Sequence, residues 1–288
     1  MNLIQIYKQF PDQESCIKHL EQVRWKGEPV CPYCHTKNTT AMLKEQRYHC
    51  NNCNTSFSVT VGTVFHKTKL DLQKWFVAIC LVLNAKKGIS ARQLARDIEV
   101  TKDTAWSMLM RIRRAYVKSG DMMQGIIECD ETYIGGKEKN KHNDKKTSGT
   151  QGRSTKTKTA VFGIKQRDGK VKAQKVKDCK TKTLKTIIDT YVAAKSVICT
   201  DEFRGYTGLA PKYTHLVVEH SKGEYVVGEA HTNGLEGFWS LLKRGIIGQY
   251  HWLSEKHLNK YIDEFCFRYN NRENENIFEL TIARALGV

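Results

Sequence analysis

Long apolar runs are missing from this sequence. None of its 288 residues belongs to a stretch approaching the roughly 20 needed to span a bilayer. The opening MNLIQIYKQFPDQES also lacks the basic segment followed by an apolar one that marks an export signal. A soluble protein that is not exported is expected. Acid is the second shortage: 30 Asp and Glu stand against 47 Lys and Arg, a formal net charge of +17. A chain this basic repels itself when compact and is usually matched by a polyanion, here nucleic acid in preference to an anionic membrane surface.

Cysteine is plentiful, but the chain is too long for a small exported disulfide scaffold. Cys80, Cys129, Cys199 and Cys266 stand alone in apolar runs and read as small core residues in a reducing compartment. Four others are paired, as CPYC at 31–34 and CNNC at 50–53. Two-residue spacing lets both thiolates of a tight turn face one ion, and two such turns complete a closed tetrahedral zinc site. Cys31, Cys34, Cys50 and Cys53 are therefore the expected ligands of a structural zinc in a ribbon over about residues 20–65, within an N-terminal segment 1–66. The alternation in QRYHC and TSFSVTVGTVF predicts short strands around it. His35 and Asn54 follow the two pairs, where a left-handed backbone is needed; Asn tolerates this better than His.

From Leu70 the apolar period becomes helical. Leu72, Trp75, Phe76, Ile79 and Leu83 recur at helical spacing, and Gly88 ends the run. ISARQLARDIEVTKDTAWSMLMRIRRAY then reads as helix, short turn, helix. Ser90 is placed to cap the first helix, with Leu94, Ala95 and Ile98 facing inward. Thr101 or Asp103 is placed to cap a second helix carrying Trp106, Leu109, Met110 and Ile112. With the net charge, this makes residues 67–120 a helix-turn-helix module for DNA, in which Arg111, Arg113 and Arg114 meet phosphate. An ordinary helical hairpin with a solvated basic face is the alternative.

Residues 137–159, KEKNKHNDKKTSGTQGRSTKTKT, are almost devoid of apolar side chains and are expected to form a mobile basic loop. On either side, IIECDETYIGG (126–136) and VICTDEFRGY (197–206) each end an apolar strand on Asp-Glu. Between them Asp168-Gly169 predicts a hairpin turn, and TKTLKTIIDTYVAA a helix. The order describes a mixed α/β sheet with helices against it. Acids at the ends of neighbouring strands converge at the rim, where they repel each other unless cations lie between them. Side chains alternate along a strand, so Asp130 and Glu131 face opposite ways, as do Asp201 and Glu202. The parallel wording favours the Asp of each pair as metal ligand and leaves Glu131 and Glu202 open as helpers. HTNGLEGFWSLLKRGIIG (231–248) offers a third acid, because Glu236 and Lys243 share a helix face and suit a metal and a phosphate. The same residues also read as a helix start, with Asn233 as N-cap and Glu236 reaching back to a backbone N–H.

CDETYIGGK, TDEFRGY and HTNGLEGFWSLLKRGIIGQYHWLSEKHLNKYIDEFCFRYNNRE, behind a zinc ribbon with FSVTVGTVF, resemble bacterial insertion-sequence transposases of the DDE class. The group in question has an N-terminal zinc ribbon and an ISXO-like catalytic domain, and is similar also to the Merlin transposases. The resemblance spans about residues 15–275. It implies a ribonuclease-H-like catalytic domain over 121–288, with Asp130, Asp201 and Glu236 as a triad holding two Mg2+ (or Mn2+) ions. Thirty-four residues separate the last two acids. It further implies that Lys243 and Arg244 hold a flanking phosphate while Asn233 orients Glu236. The activity so implied is binding of terminal inverted repeats, strand cleavage at the element's ends and joining to target DNA. The implied partner is double-stranded DNA, the implied state a homo-oligomer, the implied location the bacterial cytoplasm at the nucleoid. A domesticated DNA-binding regulator and a metal-dependent nuclease are the alternatives. In SEKHLNKYIDEFCFRYNNR, Leu258, Tyr261, Ile262 and Phe265 share one helix face and are expected to pack on the sheet, with DNA contact by Arg268 or Arg272 the lesser expectation.

Overall fold

The computed structural model describes residues 1–117, 122–136, 141–149, 154–218 and 231–288. The chain forms two compact units, Met1–Val117 with Glu273–Val288, and Lys118–Arg272. No helix among the described residues is long and apolar enough to cross a membrane. Of the basic loop expected at 137–159, residues 137–140 and 150–153 lie outside the described residues, as do 118–120 of the expected helical module.

In the first unit, α1 (Leu3–Gln9) and α2 (Gln13–Trp25) begin on capping boxes at Asn2 and Asp12. A three-stranded antiparallel sheet follows, β1 (Thr39–Met42), β2 (Arg47–Cys50) and β3 (Thr55–Phe57), in the order β1-β2-β3. Trp25 from α2 packs edge-on against Tyr48 and Phe57, with ring centroids 5.2 and 5.8 Å apart, which fixes the helix to the sheet. The expected strand through SVTVGTVF is not formed. After Phe57 the chain makes successive turns, closed by the bonds Val61 N to Ser58 O, Thr63 N to Thr60 O and His66 N to Thr63 O. The physical reason lies in competing partners. The Thr63 hydroxyl donates to the Thr60 carbonyl at 2.7 Å, and Arg24 donates to the carbonyls of Val59 and Val61 at 2.6 and 2.8 Å, occupying groups a sheet ladder would need.

α3 (Leu72–Asn84) buries Leu72, Trp75, Phe76 and Ile79 as the period predicts. α4 (Ala91–Asp97) and α5 (Lys102–Ala115) form the helix-turn-helix pair. Ser90 accepts from Gln93 N and Thr101 from Thr104 N, so Thr101 and not Asp103 caps α5. Trp106, expected on the apolar face, is 43% exposed, because Ala105, Met108, Leu109 and Ile112 already complete the inward stripe.

The second unit holds a five-stranded sheet of β4 (Ile126–Ile134), β5 (Thr159–Gln166), β6 (Val171–Lys175), β7 (Val197–Asp201) and β8 (Thr214–Val218). The order is β6-β5-β4-β7-β8, with β5 antiparallel to both neighbours and β4, β7 and β8 parallel. An antiparallel meander leading into parallel strands beside its first strand is the ribonuclease-H-like arrangement, and the fold is mixed α/β. The β5–β6 turn places Asp168 at φ +54°, where Asx side chains are tolerated. Period two divides β4 between two cores. Ile127 and Cys129 pack with Phe162, Ile164, Leu184 and Ile188 beneath α6 (Thr181–Tyr191). The other face receives α7 (Asn233–Gly245) and α8 (Leu258–Asn270), whose Leu235, Phe238, Trp239, Ile262 and Phe265 pack on Val161, Val171 and Ala173.

Residues 273–288 differ from the expected continuous stretch 121–288. They form α9 (Ile277–Leu286) in the first unit, where Phe278 packs on Phe10 and Phe76 and Val64 N donates to Ala285 O at 2.9 Å. Phe278, Ile282, Ala285 and Leu286 make an apolar stripe buried there; one such Phe contributes about 1.5–3 kcal/mol when removed from water.

Candidate active site

The four ribbon cysteines bring their sulfurs within 4.8 Å of one another. Cys31 and Cys53 Sγ are 3.7 Å apart, and Cys34 and Cys50 Sγ 3.4 Å. Zinc bonds of about 2.3 Å in a tetrahedron put sulfurs about 3.8 Å apart, so the donor set fits zinc. His35 and Asn54 both adopt the left-handed backbone, at φ +58° and +52°. Four thiolates leave no open position, which makes this metal site structural.

Asp201 ends β7, whereas β4 runs on past Asp130 to Ile134 in its ladder with β5, so the expectation that both acids close a strand at the rim is corrected for Asp130. β4 and β7 run parallel with Ile127 beside Ile198 and Glu128 beside Cys199. Carrying that register two residues further sets Asp130 beside Asp201, on the same face. Asp130 is pushed up to about 7, first by burial and then by the charges of Glu131 and Asp201. Each of its oxygens takes one hydrogen bond, Oδ1 from its neighbour's N–H (Glu131 N, 2.8 Å) and Oδ2 from Trp239 Nε1 (2.9 Å). Asp201 Oδ1 accepts from Phe203 N at 3.0 Å. Glu131 points into the opposite core, where Tyr206 donates to its Oε2 at 2.7 Å; Glu202 is exposed.

Glu236 is exposed in the first turn of α7 and accepts from the Thr232 hydroxyl at 3.1 Å. Among the described residues only the four cysteines gather three or more ligand atoms within 4.8 Å of one another, so Asp130, Asp201 and Glu236 form no such cluster here, although the charge of Asp201 is felt at Asp130. The capping-box reading is corrected: Thr232 holds the cap position, Asn233 is the first helical residue and exposed, and Glu236 meets a hydroxyl, not a backbone N–H. Lys243 lies two turns along α7. Although it reaches solvent, desolvation and Lys158 lower its ammonium pKa, against the attraction of Asp130. Arg244 folds back on Ser240, donating to its hydroxyl at 2.6 Å. A half-buried like-charged pair of hard oxygen donors fits a divalent cation.

Glu128, Gly163 and Trp239 escaped the sequence reading. Glu128 shares the Asp130 face of β4, is 1% exposed, and accepts from Leu235 N at 2.8 Å. Gly163 is paired with Asp130 across β4 and β5, and a Cβ there would stand 2.5 Å from the Trp239 ring. A lone glycine inside the strand AVFGIK was the available signal of close approach.

The expected arginine face divides. Arg113 is 1% exposed and is corrected from phosphate ligand to buried side chain, because it falls on the inward stripe with Leu109 and Ile112. Arg111 is half-buried over the Trp75 ring at 4.9 Å and donates to His66 O. Arg114 is exposed. A cleft of 520 Å³ in this unit is lined by Arg111, Arg114, Arg284 and His66 with the 62–64 turn. In α8, Arg268 is buried 3.2 Å from Glu264, and Arg272 is exposed.

The transposase class follows from comparison with known families. The model of the ISXO2-like transposase domain matches residues 122–270, and that of the transposase zinc-ribbon domain residues 11–56. The chain belongs to the ISXO2-like transposase family. It is 28% identical over 273 residues to an uncharacterized protein in transposable element ISH50 of Halobacterium salinarum, covering 91% of this chain and 92% of that one. It is 30% identical over 99 residues to an uncharacterized transposase-like protein of Haemophilus influenzae, covering 34% and 79%. Among solved structures, the Mos1 strand transfer complex aligns over 74% of this chain and 75% of that one, at 12% identity and a TM-score of 0.32.

Proposed function

We propose that the protein binds the terminal inverted repeats of its insertion sequence, cleaves DNA strands at the element's ends and joins them to target DNA. The observation that carries this reading is that Asp130 and Asp201 lie on adjacent parallel strands, two residues beyond the last ladder pair of each, with Asp130 raised to about 7 by burial and the charges of Glu131 and Asp201. Asp130 and Asp201 would hold the catalytic metal, with Glu236 of α7 as the further ligand. When bound, two Mg2+ (or Mn2+) ions activate the attacking water or 3′-hydroxyl and steady the leaving oxygen of an in-line displacement. Lys243, two turns from Glu236, holds the flanking phosphate, with Arg244 beside it. Among the described residues each Asp130 oxygen accepts a single hydrogen bond, which leaves a lone pair on each for a metal.

The first unit would grip the repeat. Arg114 and the cleft it shares with Arg111 and Arg284 supply the phosphate contacts, and the zinc ribbon supports the helix-turn-helix pair. Joining two ends calls for at least two protomers on DNA. The test incubates the protein with Mg2+ and a labelled element end. Joined strands are the expected product; nicks alone would favour a nuclease, and binding without product a regulator.

A further inference from the structure

Two spacings match where α7 meets β4. Glu128 and Asp130 stand two residues apart on one strand face, about 6.7 Å along the chain. Leu235 and Trp239 stand four residues apart on α7, about 6 Å along its axis. Each pair is closed by a hydrogen bond: Leu235 N–H donates to Glu128 Oε2 at 2.8 Å, and Trp239 Nε1–H to Asp130 Oδ2 at 2.9 Å. Two glycines clear the way. A Cβ on Gly163 would meet the Trp239 ring at 2.5 Å, and one on Gly234 would meet Glu128 Oε2 at 2.8 Å and Lys165 Nζ at 2.7 Å.

The helix start has a need that this arrangement meets. The Thr232 side chain caps no backbone N–H of the first turn, and Leu235 N–H, which otherwise reaches only the Thr232 carbonyl at 3.0 Å, gains a carboxylate acceptor from the sheet. Its negative charge also suits the positive end of the helix dipole. Arg167 Nε at 3.7 Å and His231 Nδ1 at 3.5 Å flank the buried carboxylate.

We propose that Glu128 and Trp239 are positioning residues forming a two-point latch, which sets the register of α7 on β4 and thereby the places of Glu236 and Lys243 relative to Asp130. The inference rests on the function proposed above, since it concerns that site. Trp239 also fixes the rotation of the Asp130 carboxylate, so the latch orients both the helix and the acid it faces.

Trp239→Phe keeps the ring and removes the N–H. In the full-length, zinc-loaded protein, Mn2+ binding followed by electron paramagnetic resonance should weaken by about 10–100-fold, the usual cost of losing a group that orients a metal ligand. Strand-cleavage kcat should fall in the same range while KM for the DNA end stays within about twofold. Gly163→Ala, which removes no polar group, should reproduce the loss by displacing the indole. Glu128→Gln, which keeps an acceptor for Leu235 N–H, should lose less than Glu128→Ala, and it serves as the second variant if Trp239→Phe does not fold. Ile262→Val, a buried change in α8, should lower stability but leave Mn2+ affinity and kcat unchanged.

Wild-type Mn2+ affinity and kcat in Trp239→Phe would overturn the latch, as would an equal loss in Ile262→Val. A wild-type protein that binds Mn2+ but yields no DNA product overturns the proposed function instead, and the latch is then decided by the Mn2+ affinities alone.

Discussion

The zinc ribbon and the acidic rim are both metal-site candidates, yet they are built in opposite ways. In the ribbon, four like ligands come from two short turns, and their sulfurs already stand near tetrahedral spacing. At the acidic site, the candidate ligands come from β4, β7 and α7, and among the described residues they form no cluster of three within 4.8 Å, Glu236 meeting a threonine hydroxyl instead. A closed site is specified by local chain geometry. An open site that must admit a substrate depends on how separate elements are registered, and so on residues that are not ligands.

That contrast can be broken most decisively at Asp130. Asp130→Asn should reduce Mg2+-dependent strand cleavage at least about a thousandfold, because a metal's charge stabilisation is worth several kcal/mol and 1.36 kcal/mol is a factor of ten. Affinity for the element end, measured by electrophoretic shift, should be unchanged. Next in size is Cys50→Ser. It should abolish hydrogen-exchange protection in β2 and β3 while leaving β4 and β5 protected, since structural zinc and ribbon folding are linked. Loss of protection in both sheets would show that the two sites are not independent.

A smaller effect is set by pH. Without divalent metal, Asp130 titrates at about 7, above its ordinary 3.8, so between those values the folded chain holds a proton the unfolded chain has released. This group's contribution to stability therefore falls as pH rises from about 4 to 7. Asp130→Asn removes the penalty, and by pH 8 the metal-free variant should exceed wild type by up to about 4 kcal/mol in urea unfolding of the second unit. The gap should close toward pH 4. The smallest change is expected in the first unit. Arg114→Ala should reduce the slope of log K against log[salt] by about 0.9, one phosphate contact, whereas Arg113→Ala should lower stability and leave that slope unaltered.

Much of this was legible in order along the chain. The C-x2-C pairs, the Ser90 and Thr101 caps, the Asp168 turn and the strand ending on Asp201 are local patterns, each decided by a few neighbouring residues. What escaped depended on partners remote in sequence. SVTVGTVF has strand periodicity, but Arg24 claims two of its carbonyls. Arg113 sits in a basic run, and only the packing of α5 tells it from Arg114. Glu128 reads as one more polar residue in a strand until Leu235 N–H, over a hundred residues on, is seen to bind it.

α9 gives the order of synthesis a physical meaning. Everything the catalytic sheet needs, Lys118–Arg272, is made before residues 273–288, whereas the amino-terminal unit lacks Phe278 and Ile282 until those residues emerge from the ribosome. The sheet unit, Lys118–Arg272, can therefore finish folding on a nascent chain before the unit that brackets it receives its last helix.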